Sequence, residues 1–111
     1  MATELLPETL IEHVAERFRV LGDATRLSIL RLLIASDELN VGEICEELDS
    51  SQANISKHLR TLYNAGFLVR RKDGTAAYYS IADPSVKQLC DIVCDRLKLQ
   101  AAQEARTFAA S

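Results

Sequence analysis

Along most of the chain apolar residues recur at helical spacing, and only between residues 67 and 81 do they give way to two short runs of strand character. Ile11, Val14, Ala15 and Phe18 share one stripe and predict an acidic first helix over 7–20. Gly22-Asp23 interrupts it, and Asp23 is placed to cap a second helix through about residue 33. There Leu27, Leu30 and the run 29–33 give apolar character nearly all round, as in a central buried helix. A polar loop, Ser36-Asp37-Glu38, follows. Asn40 and Glu43 then have capping-box spacing, and Val41, Ile44, Cys45 and Leu48 mark the inner face of a short third helix. After Asp49-Ser50-Ser51, residues 51–62 form a fourth helix with Ile55, Leu59 and Leu62 on one stripe. Ala53, Ser56, Lys57 and Arg60 must lie on its opposite, water-facing side.

Ala65-Gly66 ends that helix, 67–72 reads as a strand, Asp73-Gly74 is a hairpin turn, and 76–81 forms the returning strand. Asp83-Pro84 opens a last helix through at least Leu97, and the small, polar tail 100–111 is expected to fray. Two short helices joined by a polar turn and followed by a basic hairpin outline a winged helix-turn-helix: mainly α, with a small β-hairpin wing. The 111 residues suit a single domain, 1–111, with its core at about 8–99.

Net charge taken alone, at −3, speaks against a polyanionic partner. Its distribution reverses that inference. Between Ser51 and Thr75, Lys57, Arg60, Arg70, Arg71 and Lys72 stand against Asp73 alone, net +4, while the remainder carries 8 cations and 15 anions, net −7. The cations coincide with the polar helix and the hairpin. No apolar run approaches the roughly 20 residues of a membrane span, and Met1-Ala2-Thr3-Glu4 lacks the basic and apolar regions of a signal peptide, so a cytoplasmic protein is expected. Three cysteines without a secretion signal point to reduced thiols. A Gly-rich phosphate loop, a Cys and His pair at nucleophile spacing and a carboxylate pair in an apolar setting are all missing, which disfavours an enzyme.

Four segments carry a resemblance: Leu21-Gly22-Asp23-Ala24-Thr25-Arg26-Leu27-Ser28-Ile29-Leu30, Ser51-Gln52-Ala53-Asn54-Ile55-Ser56-Lys57-His58-Leu59, Ala65-Gly66-Phe67-Leu68-Val69 and Tyr78-Tyr79-Ser80-Ile81. Together they resemble the ArsR/SmtB family of bacterial winged-helix repressors over residues 14–97. The resemblance implies a homodimer joined through its first and last helices and a repressor that leaves its operator when an inducer binds. Residue patterning agrees on the dimer, for Val86, Leu89, Cys90, Val93 and Leu97 form a stripe that so small a monomer can hardly cover, and Val14 and Phe18 add to it. A twofold dimer sets its recognition helices about 34 Å apart and calls for an inverted-repeat operator.

In such a complex the DNA-contacting set is Ser51, Gln52, Ala53, Asn54, Ser56, Lys57 and Arg60 from the helix, with Arg71, Lys72 and Thr75 from the wing. Gln52, Ala53, Ser56 and Lys57 would meet base edges, Gln52 suiting adenine and Lys57 guanine or phosphate, while Asn54 and Arg60 position the helix on the backbone. The plain alternatives are an ordinary solvated helix face and a hairpin edge blunted by charge. His58 and His13 read as structural or exposed residues rather than metal ligands.

The sensor is less legible. Family members that bind metals or arsenic in the third helix look like Glu-Leu-Cys-Val-Cys-Asp-Leu, and here that stretch is Glu38-Leu39-Asn40-Val41-Gly42-Glu43-Ile44. The other family site, Asp-x-His and later His-x-x-Glu, falls on Asp83, Ser85, Arg96 and Leu99. A conventional zinc site of either type is therefore not expected. Cys45 reads as a small buried hydrophobe. Cys90 and Cys94, one turn apart, are candidates for a thiophilic metal, a metalloid or a thiol-reactive inducer, or are simply packing residues. Two alternatives stay open: a winged helix docking an acidic protein partner, and a constitutive repressor without ligand.

Overall fold

The computed structural model describes residues 7–110; the Met1-Ala2-Thr3-Glu4 stretch and Ser111 lie outside them. Among these described residues five helices and three strands follow in the order α1 (Glu8–Leu21), α2 (Ala24–Ser36), β1 (Glu38–Asn40), α3 (Val41–Leu48), α4 (Gln52–Asn64), β2 (Leu68–Asp73), β3 (Ala76–Ile81) and α5 (Ser85–Ala110). Local capping chemistry fixes the helix starts. The Asp23 carboxylate accepts the Arg26 amide at 2.9 Å, and the Ser51 hydroxyl accepts that of Asn54 at 3.1 Å. Asn40 and Glu43 form the reciprocal box, at 2.8 and 2.9 Å. At the end of α4 the amide of Phe67 donates to the Leu62 carbonyl and that of Gly66 to Tyr63, both at 3.0 Å, with Gly66 at φ 86°. This is a Schellman closure, and its left-handed position suits glycine.

One core holds these elements together. Ile29, Leu30 and Leu33 of α2 and Ile44 of α3 meet Ile55, Leu59 and Leu62 of α4, with Val20, Phe67, Leu68 and Val86 closing its edges. The sheet runs β1-β3-β2, antiparallel throughout, with Leu68 opposite Ile81 and Arg71 opposite Tyr78. β1 lies where a polar loop was expected from residue 38: Glu38, Leu39 and Asn40 pair with Ser80, Tyr79 and Tyr78. A three-residue strand with one apolar member carries no period-two signal.

Two further expectations are corrected. Val86, placed above in a dimer stripe, is fully buried in the core of the chain itself, because α5 begins by packing its first turn inward. Where a frayed tail was expected, α5 runs on as helix through 101–110, a stretch rich in Ala with neither Gly nor Pro to stop it. Among the described residues, no helix is long and apolar enough to cross a membrane.

Among the described residues His58 is the one polar side chain buried with the core. Its Nδ1 lies 3.2 Å from Nη1 of Arg26, whose Nε donates to the Val20 carbonyl. A guanidinium can only donate, so Nδ1 accepts and the imidazole is neutral, with its proton on Nε2. Burial pushes its pKa down; Lys57 and Arg26 act in the same sense, and Asp23 opposes them.

Two outcomes follow for stability. Leu59→Ala is expected to cost about 2–5 kcal/mol in chemical denaturation, whereas Lys57→Ala on the opposite face changes it by under about 0.5 kcal/mol. A histidine with a depressed folded pKa binds its proton first in the unfolded chain, so its contribution is complete above the ordinary value near 6.5 and is lost as pH falls toward the folded one. Denaturation midpoints of wild type and His58→Gln between pH 7.5 and 5 should therefore converge as the solution is acidified, and a constant gap would contradict the buried neutral imidazole.

Candidate nucleic-acid interface

α3, a sharp turn and α4 form the helix-turn-helix. Asp49 takes a left-handed conformation at the end of α3, with φ 49°, and Asn54 Nδ2 donates back to the Ser50 hydroxyl at 2.9 Å. Ser51 and Asn54, both in the candidate set, thus already fasten this turn. With Ile55, His58, Leu59 and Leu62 turned inward, Gln52, Ala53, Lys57 and Arg60 are exposed and Ser56 is half-buried. Among the described residues neither Lys57 nor Arg60 forms an ion pair.

The hairpin sorts its cations by face. Alternation from buried Leu68 puts Arg70 and Lys72 on the same side as the core and Arg71 on the outer side. Arg71 grips Glu38 of β1 with two hydrogen bonds, Nε to Oε2 at 3.0 Å and Nη2 to Oε1 at 2.8 Å, and lies over the Tyr78 ring at 4.7 Å. The pairing holds the Glu38 carboxyl below its ordinary pKa. Arg71 is thereby paired within the sheet, while Arg70 and Lys72 form no ion pair among the described residues. Thr75 is exposed beside Gly74, which turns the hairpin at φ 64°. Arg70 was absent from the candidate set; counting by twos from Leu68 would have included it.

The remaining candidates lie on α1 and α5. Phe18, Leu89, Val93 and Leu97 are exposed, joined by Leu10, Ile11 and Ile92, and Val14 is half-buried. Cys45 and Cys90 are half-buried against the core and Cys94 is exposed. Burial pushes the Cys90 thiol pKa up, helped by Asp91 and Cys94, which makes its thiolate scarcer. Among the described residues no three His, Cys, Asp or Glu side chains gather as a metal set. Asp83 instead accepts bonds from the Ser85 amide and hydroxyl and from Arg17.

Comparison with known proteins bears on this arrangement. Residues 23–69, from the α2 cap to the start of β2, match the model described as bacterial regulatory protein, arsR family. The chain is 43% identical over 82 residues to an uncharacterized HTH-type transcriptional regulator of Methanocaldococcus jannaschii, covering 74% of this chain and 92% of that one. It is 37% identical to the arsenical resistance operon repressor of Escherichia coli, over 76% of each chain. Among solved structures, the homodimeric winged helix-turn-helix DNA-binding domain of a possible ArsR-family regulator from Mycobacterium bovis superposes with a TM-score of 0.73 at 30% identity, covering 88% of this chain and 91% of that one. The helix-turn-helix, the basic hairpin and these likenesses agree: the chain belongs to the arsR family of bacterial regulatory proteins, and is a winged helix-turn-helix, DNA-binding transcriptional regulator rather than an enzyme.

Proposed function

We propose that this protein is a single-domain homodimeric repressor that holds an inverted-repeat operator in the cytoplasm and releases it when an inducer binds. The observation that carries this reading is the separation of charge: Lys57, Arg60, Arg70 and Lys72 stand without ion-pair partners among the described residues, on a chain whose remainder is acidic. α4 enters the major groove, where Gln52, Ala53, Ser56 and Lys57 meet base edges, while Ser51, Asn54 and Arg60 set its register on the backbone. Lys72 and Thr75 reach phosphates from the wing, joined by Arg70. Arg71 braces the hairpin against Glu38 instead of contacting DNA. The partner subunit covers the exposed face made by Phe18, Leu89, Val93 and Leu97, with half-buried Val14 and Cys90 at its edge.

The inducer is read as a thiophilic metal, a metalloid or a thiol-reactive species, taken up at exposed Cys94 with Cys90 one turn before it. The Escherichia coli relative's name, which refers to arsenical resistance, favours that class. A Cys90→Ser, Cys94→Ser double variant should bind operator normally and fail to release it on exposure to arsenite, cadmium or persulfide; unchanged release would remove the thiols from the reading.

Salt titration tests the DNA face. Operator affinity is expected to fall steeply with salt, and Lys72→Ala or Arg70→Ala should each flatten the log–log slope by about 0.9, the share of one phosphate. Arg71→Ala should weaken binding while leaving that slope as it is. Affinity indifferent to salt, together with tight binding to an acidic protein, would favour the interaction-module alternative.

A further inference from the structure

α1 is held to the rest of the molecule by very little. Of its 14 residues only Val20, in the last turn, is buried, with Leu21 partly packed beside it. One turn earlier, Arg17 reaches out of α1 and joins three other parts of the fold. Its Nη1 donates to the Ala65 carbonyl at 2.9 Å, its Nη2 donates to Asp83 Oδ2 at 3.1 Å, and the guanidinium carbon sits 4.1 Å from the centre of the Phe67 ring. Each contact is at a junction. Ala65 is the C-cap of α4, where helix carbonyls lack partners of their own. Phe67, itself buried, leads from α4 into β2. Asp83 precedes α5 and fixes its first turn by accepting the Ser85 amide and hydroxyl through Oδ1.

We infer that Arg17 is a positioning residue for operator binding: it locks the angle between the dimerising helices α1 and α5 and the exit of recognition helix α4, and so sets the separation of the two recognition helices. The inference rests on the homodimer reading above. A residue that touches no DNA can govern affinity here, because two half-sites on a rigid duplex are engaged together only if the protein presents its helices at the matching distance. The side chain is suited to this task, since a planar fork can hold a carbonyl, a carboxylate and a ring face at once, which a lysine ammonium cannot.

The test uses the full chain and an inverted-repeat duplex selected by the wild-type protein from random DNA, then remade with the half-sites moved apart or together one base pair at a time. Arg17→Ala removes all three contacts. Asp83→Asn keeps one oxygen for Ser85 and turns an amide toward the guanidinium, so it breaks the α5 link alone. Both variants are expected to remain dimeric in sedimentation, to lose about tenfold in affinity at the best spacing and to bind flanking spacings more evenly than wild type. The salt slope should not change, because no phosphate contact is lost, and Arg17→Lys should not restore the spacing profile. The inference is overturned if both variants keep the wild-type profile and affinity within about twofold, or if affinity falls only as the dimer dissociates or unfolds. A wild-type protein that is monomeric or has no preferred spacing overturns the homodimer reading itself, and this inference with it.

Discussion

Burial of Ile55, Leu59 and Leu62 against α2 and α3 determines how α4 is rotated, and that rotation decides which side chains the helix shows to its surroundings. All three are fully excluded from solvent, so no small rolling of the helix is open to it without uncovering a side chain. His58 tightens this constraint from the same face, because its acceptor nitrogen is matched to a guanidinium on α2 that is itself tied to the end of α1. The polar set from Gln52 to Arg60 is therefore presented by packing, before any nucleic acid is encountered.

Charge adds selectivity to that geometry. Four cations are held in ion pairs: Arg71 with Glu38, Arg17 with Asp83, Arg19 with Glu16 and Lys87 with Asp91, among the described residues. The cations of α4 and of the core-side face of the wing have no such partners among the described residues. An acidic surround then discourages loose adhesion to any polyanion while the local field remains positive, a balance that favours shape-matched duplex over random phosphate.

Much of this was legible in the residues alone. Asp23 and Asn40 announced two helix starts that the hydrogen bonds bear out, and Asp73-Gly74 placed the hairpin turn. What escaped had identifiable causes. β1 owes its existence to the neighbouring edge of β3 and not to a pattern of its own. Val86 belongs to the helical stripe of α5 but sits where that helix is still over the core, a distinction periodicity cannot draw. Arg71, between two cations that have no ion-pair partner among the described residues, is diverted by a carboxylate 33 residues away, and only tertiary structure brings the two together. The tripartite grip of Arg17 has no local signature either, since its partners lie 48 and 66 residues further on.

Recognition by a rigid pair of helices is the claim on which the functional reading turns, and hydroxyl-radical footprinting of the operator complex addresses it most directly. The expected result is two equivalent protected patches related by a twofold axis, their centres about 34 Å apart along one face of the duplex. A single patch, or protection without symmetry, would contradict it.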